Sequence, residues 1–212
     1  MKLILFGGTG MVGQRLAAEA LSRGHDVTVV ARDPSRLGLE HPRLTAVAGN
    51  VLDPASVASV VPGHDAVLSA IGPGGPSGAA QIIVDAAKSL VDGLSGGSVR
   101  RIGVVGGSGS LEVAPGVQLS DTPQFPDAWK DYARAHADAL AAFRRSDLDW
   151  TVLSPAAMMQ PGERTGRYRT ASDQLIVDAE GQSRLSAEDL AVALLDEIER
   201  PQFVRQRFTA GY

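Results

Sequence analysis

Short apolar runs alternate with longer amphipathic stretches along this chain, and the alternation predicts β-strands separated by α-helices. The predicted strands are residues 3–6, 26–31, 44–48, 65–70, 101–105 and 149–153. The predicted helices are residues 11–22, 54–61, 79–90, 127–146 and 187–199. Repeated strand–helix–strand units with right-handed crossovers build an open parallel sheet with helices on both faces. We therefore expect an α/β fold with a doubly wound parallel sheet.

Glycines at positions 7, 10 and 13 follow the first predicted strand. Glycine adopts the positive φ of a tight turn, and its missing Cβ lets a ligand and a helix approach the backbone closely. The free N–H groups at the start of the next helix then favour a bound phosphate. This strand–turn–helix order predicts a Rossmann-like fold that binds a dinucleotide, and a glycine-rich turn that binds nothing is the alternative. The predicted contacts of this turn are Gly7, Thr9, Gly10, Met11, Val12 and Gly13.

A basic residue, Arg32, follows the second predicted strand, where dinucleotide-binding folds meet the adenosine ribose. An acidic residue at this place binds the 2′-hydroxyl of NAD, whereas an arginine accommodates the 2′-phosphate of NADP. Asp33 comes one residue too late for the first role, and Ser35 and Arg36 are close enough to assist Arg32. The sequence therefore favours NADP(H) as the cofactor. A solvated Arg32 that pairs with Asp33 is the alternative.

Loops rich in glycine or proline also follow the fourth, fifth and sixth predicted strands. In an open parallel sheet, ligands bind outside the carboxyl ends of the strands, so these loops are expected to face the cofactor. The loop at residues 71–78 lets a ligand approach its backbone, and a merely flexible loop is the alternative. The cofactor contacts predicted from these loops are Ala70, Ile71, Gly72, Gly107 and Pro155.

The segment after the fifth predicted strand contains the candidate catalytic hydroxyl. Residues 106–110 are rich in glycine, and a long loop continues to about residue 126. Loops of this length are usually functional or disordered, and we predict that this one forms part of the substrate wall. Ser108 is the predicted active-site serine and Ser110 is its rival, although serines in such turns often bond only to local backbone.

The predicted helix at residues 127–146 carries two further candidates on one face. Residues that recur at spacings of three and four are Trp129, Tyr132, Ala133, His136, Leu140 and Phe143. We expect this face to be buried against the sheet or to line the site. A polar group on an apolar face needs a partner, so Tyr132 and His136 either act in the site or are satisfied at the core edge. Met158 and Met159, after the sixth strand, are predicted to form an adaptable apolar wall or part of the core.

Composition narrows the function mainly by exclusion. The 212 residues suit one domain spanning residues 1–212, with residues 155–212 as a small cap on the substrate side. A net charge of −4 with interspersed signs offers no basic run for nucleic acid or an anionic membrane. Cysteine is absent and the four histidines lack metal-ligand spacing, so no metal site is expected. The first apolar run is too short for a signal peptide or membrane span, which predicts a cytoplasmic protein.

Several motifs together carry a resemblance that covers nearly the whole chain. They are Gly7-x-x-Gly10-x-x-Gly13, Arg32-Asp33-Pro34, Asp53, Val104-Val105-Gly106-Gly107 and Asp149-Trp150-Thr151-Val152-Leu153-Ser154-Pro155. With these motifs the chain resembles the atypical short-chain dehydrogenase/reductases of the NAD(P)H-binding, NmrA-like type, and is similar to the biliverdin-IXβ/flavin reductases. The resemblance implies NADPH-dependent reduction of a flavin, quinone or similar planar acceptor. It also implies that Asp53 faces the adenine, whereas helix capping by Asp53 is equally compatible with the sequence.

The chain departs from the wider pattern of short-chain dehydrogenases at one position. These enzymes generally use Tyr-x-x-x-Lys, in which the lysine lowers the tyrosine pKa, whereas here the spacing pairs Tyr132 with His136. A planar acceptor needs orientation more than a strong base, so both side chains are expected to orient it near Ser108. The leading prediction is an NADPH-dependent reductase of a small-molecule redox acceptor, acting as a monomer or homodimer. A non-catalytic NADP(H) sensor of the NmrA-like type and an epimerase or dehydratase are the alternatives.

Overall fold

The structure, a computed structural model, describes residues 1–73 and 79–212. The helices are α1 (Met11–Ser22), α2 (Pro54–Val60), α3 (Gln81–Leu94), α4 (Lys130–Arg144) and α5 (Ala187–Glu199). The first strands are β1 (Lys2–Phe6), β2 (Asp26–Ala31), β3 (Leu44–Ala48), β4 (Ala66–Ser69), β5 (Arg101–Val105) and β6 (Glu112–Ala114). The remaining strands are β7 (Val117–Gln118), β8 (Asp149–Pro155), β9 (Met158–Gln160), β10 (Arg169–Ala171), β11 (Arg184–Ser186) and β12 (Gln206–Gly211).

Eight of these strands form one sheet in the order β10-β12-β8-β5-β4-β1-β2-β3. Neighbouring strands run parallel except β10 and β12, which pair antiparallel at one edge. The direction of strand order reverses at β1, because β2 lies on one side of it and β4 on the other. Ligands bind at such a switch point in doubly wound sheets. The predicted Rossmann-like α/β fold is confirmed.

Helices cover both faces of this sheet, and the side chains of β1 alternate between two cores. Leu3 and Leu5 pack in a cluster with α1 and α5, whereas Ile4 and Phe6 pack in a cluster with α2, α3 and α4. Successive side chains of a strand point to opposite faces, which explains this division. Because both faces are buried, the central strands are continuous apolar runs, and this made them easy to find in the sequence.

Three predicted elements differ from the structure by more than one residue at an end. Helix α3 continues one turn past residue 90, because Leu94 is buried in the same core as the preceding turns. Helix α4 begins only at Lys130, since Pro126 precedes a separate 3-10 turn at Asp127–Trp129. Strand β8 runs to Pro155 rather than residue 153, because β12 extends its parallel pairing to that residue.

A small hairpin orders the long segment between β5 and α4. Strands β6 and β7 pair antiparallel, and Leu111 before them is fully buried. The N–H of Glu112 donates to the carbonyl of Asp173, and the N–H of Leu175 donates to the carbonyl of Glu112, both at 2.8 Å. These bonds join the hairpin to the segment after β10. Within that segment, Gln174 forms an isolated parallel β-bridge with Glu112.

Residues 155–212 complete the main sheet and one helical layer. Helix α5 packs beside α1, and β12 extends the sheet next to β8. Strands β9 and β11 form a separate two-stranded parallel sheet that follows the carboxyl end of β8. Ser186 is the N-cap of α5, because its hydroxyl accepts the Asp189 N–H at 2.9 Å, whereas its own N–H donates to the Tyr212 hydroxyl at 3.1 Å rather than to Asp189. The role of this region as a substrate-side cap stays a prediction.

Residues 162–168, which we call the strap, bind to the outer layer formed by α1 and α5. The Arg164 guanidinium donates two hydrogen bonds of 2.7 Å to the carboxylate of Glu19 on α1. The Gly166 N–H donates to Asp189 on α5 at 2.8 Å, and the Thr165 hydroxyl donates to the same carboxylate. The strap has no regular secondary structure. Side chains from two helices hold it in place.

Candidate functional site

The loops after β1, β2, β4 and β5 lie at one edge of the sheet, because their strands are parallel neighbours. The β1 and β4 loops are in direct contact. The Ala70 N–H donates to the Phe6 carbonyl at 2.9 Å, which continues the strand pairing into the turn. A Cβ added at Gly7 would lie 2.5 Å from the Ala70 carbonyl oxygen. The edge thus brings together the residues predicted from separate loops.

Packing within the protein requires glycine at two positions of the predicted turn. Gly7 has a φ of +86°, and its carbonyl accepts the Gly10 N–H at 3.0 Å. A Cβ on Gly13 would lie 2.1 Å from the Gly7 carbonyl oxygen, so α1 crosses the turn in contact with its backbone. These two glycines hold the start of α1 against the end of β1.

Gly10 is different, because the described residues leave space around it. Among residues 1–73 and 79–212, a Cβ there would meet only the Gly7 carbonyl oxygen, at 3.4 Å, which is ordinary contact. Gly10 is the N-cap of α1, yet no side chain caps the helix and its first turn contains no acidic residue. Thr9 and Met11 beside it are exposed, and Val12 is half-buried. An uncapped helix N-terminus with room above a glycine fits a bound diphosphate.

Arg32 lies exposed just after β2, one strand away from this turn. The predicted alternative, an ion pair with Asp33, is wrong, because the Asp33 carboxylate accepts the hydroxyl of Ser35 at 2.6 Å and its N–H at 3.1 Å. These bonds, together with nearby Arg36, lower the pKa of Asp33. Arg32 and Arg36 form no ion pair with any described residue, so both guanidiniums are free to bind an anion.

Asp53 caps α2, as one of its two predicted roles required. Its Oδ1 accepts the Ala55 N–H at 3.0 Å, and Pro54 occupies the first turn. The carboxylate is exposed, so its second oxygen is free to face a ligand as well. Contact with adenine stays a prediction.

The β4 loop contributes half-buried backbone to the edge. Ala70, Ile71 and Gly72 are each partly exposed, and a Cβ on Gly72 would meet nothing within 4 Å. The rest of the predicted loop, residues 74–78, lies outside the described residues. Pro155 is buried at the end of β8, which leaves little of its side chain accessible for the predicted contact with the cofactor.

The structure separates the two candidate serines after β5. The Ser110 hydroxyl accepts a hydrogen bond of 2.8 Å from Arg207, which also donates to the Asp173 carboxylate. Ser110 is therefore part of a structural network behind the loop. Ser108 is half-buried, and its hydroxyl has no hydrogen-bond partner among the described residues. Of the two serines, Ser108 has the hydroxyl that is available to a ligand.

His136 on α4 lies directly against the β5 loop. A Cβ on Gly107 would lie 2.7 Å from His136 Cδ2 and 2.8 Å from its Cγ, so only glycine leaves room for the ring. Burial lowers the pKa of His136 to about 4, because the charged imidazolium would lose its hydration. Tyr132, one turn earlier, is half-buried and packs against the same core as α4. His136 therefore lies beside the β5 loop, and a role for Tyr132 in the site stays a prediction.

Two predictions about apolar side chains are corrected in part. Trp129 does not share the buried face of α4, since it precedes the helix and is 63% exposed. Met159 packs against the core, whereas Met158 on the same strand is 54% exposed. The period-two geometry of β9 explains why these adjacent methionines differ.

Two residues of this region were not predicted from the sequence. A Cβ on Gly8 would lie 2.6 Å from Val29 Cγ1, so the turn needs a glycine there to pack on β2. Ser69 is a buried hydroxyl at the carboxyl end of β4. The only sequence signal for Ser69 is a polar residue at the end of an otherwise apolar strand.

The fold and the glycine turn define a Rossmann-like protein with a dinucleotide site at the carboxyl edge of its sheet. A family model described as NAD(P)H-binding matches residues 7–201. The chain therefore belongs to this NAD(P)H-binding family, and a nicotinamide dinucleotide is its supported cofactor.

Three solved structures are similar over the length of the chain. A Burkholderia pseudomallei "Putative exported protein" is 51% identical, with 100% of both chains covered and a TM-score of 0.91. A Bacteroides thetaiotaomicron "putative epimerase" is 38% identical, with 100% of this chain and 96% of the other covered and a TM-score of 0.90. A Streptococcus pneumoniae "putative NADH-flavin reductase" is 31% identical, with 100% and 99% covered and a TM-score of 0.88.

Two absences hold for residues 1–73 and 79–212, the part of the chain that the structure describes. Over these ranges, no helix combines the length and hydropathy that crossing a membrane requires. The same ranges contain no group of three histidine, aspartate or glutamate side chains placed to hold a metal ion.

Proposed function

We propose that this protein is an NADPH-dependent oxidoreductase that reduces a flavin, quinone or similar planar acceptor. The observation that carries the proposal is the pairing of an open α1 N-terminus with the unpaired guanidinium of Arg32 on the neighbouring strand end. The open helix N-terminus suits a diphosphate, and the guanidinium suits a 2′-phosphate. Similarity to a Streptococcus pneumoniae protein named as a "putative NADH-flavin reductase" supports the acceptor class.

In this proposal the chain holds the dinucleotide through backbone and arginine. The N–H groups of Gly10, Met11 and Val12 bind the diphosphate, and Arg32 with Arg36 binds the 2′-phosphate. The adenine and nicotinamide ends are bounded by Asp53, Ala70, Ile71, Gly72, Gly107 and Pro155. When bound, NADPH supplies the hydride.

Ser108, Tyr132 and His136 have the role of orienting the acceptor. His136 stays neutral because of its burial, so it offers one N–H donor and one nitrogen acceptor rather than a positive charge. Such groups hold a planar acceptor in register without competing for its electrons. Residues 155–212 act as the substrate-side cap, with Met158 as an exposed apolar contact.

The remaining parts of the proposal concern assembly and location. The partner is a small redox acceptor, and the working unit is a monomer or homodimer. We place the protein in the cytoplasm. Cell fractionation is the appropriate check, because the Burkholderia pseudomallei relative is named as a "Putative exported protein".

The direct experiment follows the loss of nicotinamide absorbance with NADPH, and in parallel with NADH, against flavins, quinones and biliverdin. Turnover that prefers NADPH is the expected result. Tight cofactor binding without turnover on any acceptor would instead favour the non-catalytic NADP(H) sensor of NmrA-like type.

An epimerase or dehydratase is the remaining candidate, since one relative is named as a "putative epimerase". It is disfavoured here because His136 stands where a Tyr-x-x-x-Lys site has its lysine. Reduction of a planar acceptor with net consumption of NADPH distinguishes the two, because an epimerase regenerates its cofactor in each cycle.

A further inference from the structure

Ser69 is a polar side chain in an apolar layer of the sheet. Phe6, Ser69, Val104 and Val152 are register partners across β1, β4, β5 and β8, and all but Ser69 belong to the core under α3 and α4. Register partners in parallel strands point to the same face. The Ser69 hydroxyl therefore points to the face covered by α4, and Ser69 is only 3% exposed.

A small cavity lies on this face, between the sheet and helices α3 and α4. Ser69, Val104 and Gly106 line it from the strand ends, and His136 lines it from α4. Its volume of about 20 Å³ exceeds the 10–15 Å³ that one water molecule requires. The other lining side chains are apolar, so Ser69 and His136 supply the polar side chains of its wall.

Both polar groups lack a protein partner. Among the described residues, neither the Ser69 hydroxyl nor the His136 ring forms a hydrogen bond. Burial keeps the imidazole neutral, so one ring nitrogen donates and the other accepts. Ser69 is buried and His136 is partly buried, and polar groups so placed are nearly always hydrogen-bonded, to ordered water where protein offers no partner.

We propose that one water molecule occupies this cavity and links the Ser69 hydroxyl to the His136 imidazole, which makes Ser69 a positioning residue for His136. The link fixes the orientation of the ring beneath the Gly106–Gly107 backbone. The inference that a water is bound here depends only on the cavity, whereas its effect on turnover rests on the proposed function.

The test uses the full chain and three variants: Ser69→Ala, Ser69→Thr and Ser89→Ala. Ser89 is the matched control, because its buried hydroxyl also lacks a partner but does not line the cavity. A crystal structure of the wild type at 1.5 Å or better is expected to show a water within about 2.6–3.2 Å of Ser69 Oγ and a His136 ring nitrogen. An empty cavity would overturn the proposal.

Nitrogen-15 NMR of the His136 ring gives a second readout that needs no turnover. The wild type and Ser89→Ala should give the same ring nitrogen shifts, Ser69→Ala should shift the signal of the ring nitrogen bonded to the water, and Ser69→Thr should restore the wild-type signal. We expect solvent exchange of the ring N–H to be at least about tenfold faster in Ser69→Ala, since the bond that protects it is lost. Identical spectra for wild type and Ser69→Ala would refute the link.

Kinetics separate this inference from the proposed function. If the protein is a reductase, Ser69→Ala should lower kcat while leaving the KM for NADPH unchanged, because His136 orients the acceptor rather than the cofactor. If no acceptor is turned over, the proposed function fails, and the crystal structure and NMR still decide whether the water link exists.

Discussion

Arg32 and Asp33 are adjacent in sequence yet have separate chemistry in the fold. The 3-10 turn at Pro34–Arg36 directs the Ser35 hydroxyl and N–H to Asp33, which leaves Arg32 without a carboxylate partner. A free guanidinium at this strand end is the feature on which the choice between NADPH and NADH depends.

Replacing Arg32 by alanine should therefore weaken NADPH binding by about 1.5–3 kcal/mol, the worth of charged hydrogen bonds, and leave NADH binding nearly unchanged. Isothermal titration calorimetry with both cofactors measures this difference. Arg145→Ala is the control, because Arg145 is also exposed and unpaired among the described residues but lies at the carboxyl end of α4. Equal losses for the two cofactors would reject the assignment of Arg32.

His136 predicts a dependence of stability on pH. Its pKa is about 4 in the fold and about 6.5 in the unfolded chain, so between these values the unfolded state binds more protons. The contribution of His136 is complete above pH 6.5 and is lost as pH falls. As the pH falls from 7 to 5, the loss of this contribution should lower the free energy of unfolding by about 2 kcal/mol.

Urea unfolding of wild type and His136→Gln at both pH values isolates this contribution, because glutamine does not titrate. The wild type should lose about 2 kcal/mol more than the variant over that interval. Equal losses in the two proteins would contradict a buried, neutral His136.

At the scale of elements, the β1–α1 turn combines two requirements that glycine meets for different reasons. Gly7 and Gly13 are needed because backbone approaches backbone, whereas Gly10 has open space beside it. Stability and cofactor binding should therefore respond to different positions of one short motif.

Gly13→Ala should lower the free energy of unfolding by about 2–3 kcal/mol, since its Cβ would overlap the Gly7 carbonyl. Gly10→Ala should stay within about 1 kcal/mol of wild type but lose most of its cofactor affinity. Thermal unfolding without cofactor and calorimetric titration with NADPH measure the two effects. A Gly10→Ala variant that binds like wild type would place the diphosphate elsewhere.

Most elements could be predicted from the sequence because their signals are local. Strands β2, β3 and β5 and helix α1 have the predicted bounds, since apolar runs and flanking glycine or proline mark both ends. The errors arise where tertiary contacts decide. Leu94 extends α3 by packing into the core, and Trp129 belongs to a 3-10 turn that precedes α4, neither of which periodicity reveals.

At the scale of the whole molecule, Asp189 joins three parts of the chain. It is fully buried on α5, and its carboxylate accepts hydrogen bonds from Thr165 and Gly166 of the strap and from the Tyr212 hydroxyl at 2.8 Å. Burial raises the pKa of Tyr212, so the phenol stays a donor in neutral solution. One carboxylate thus fixes the strap and the end of β12 against the helical layer.

Asp189→Ala should lower the free energy of unfolding by about 2–4 kcal/mol, because a fully buried carboxylate that accepts three hydrogen bonds is lost. Trypsin should also cut faster at Arg164 and Arg167, which lie in the strap. Asp147→Ala is the control, since the Asp147 carboxylate is 69% exposed and its pair with Arg100 should contribute less than about 1 kcal/mol. Unchanged proteolysis in Asp189→Ala would mean that other contacts hold the strap.

The candidate site was predictable in its location but not in its details. Parallel strands bring their carboxyl ends to one edge, so the residues after β1, β2, β4 and β5 could be grouped without coordinates. The distinction between Ser108 and Ser110 could not be made, because it depends on Arg207, about a hundred positions later. Ser69 was missed for the same reason, since its importance comes from a helix that follows it much later in the chain.

Some glycines of the first turn are needed for packing and one is not, and this difference has an evolutionary consequence. A descendant of this fold that stopped binding dinucleotides would still need Gly7, Gly8 and Gly13, because its own backbone and β2 occupy the space of their side chains. Of the four glycines, Gly10 would be the first that could be substituted without loss of folding. Among divergent copies of this chain, a side chain at position 10 is therefore the mark of lost binding, and retention of the other glycines records only that the copy still folds.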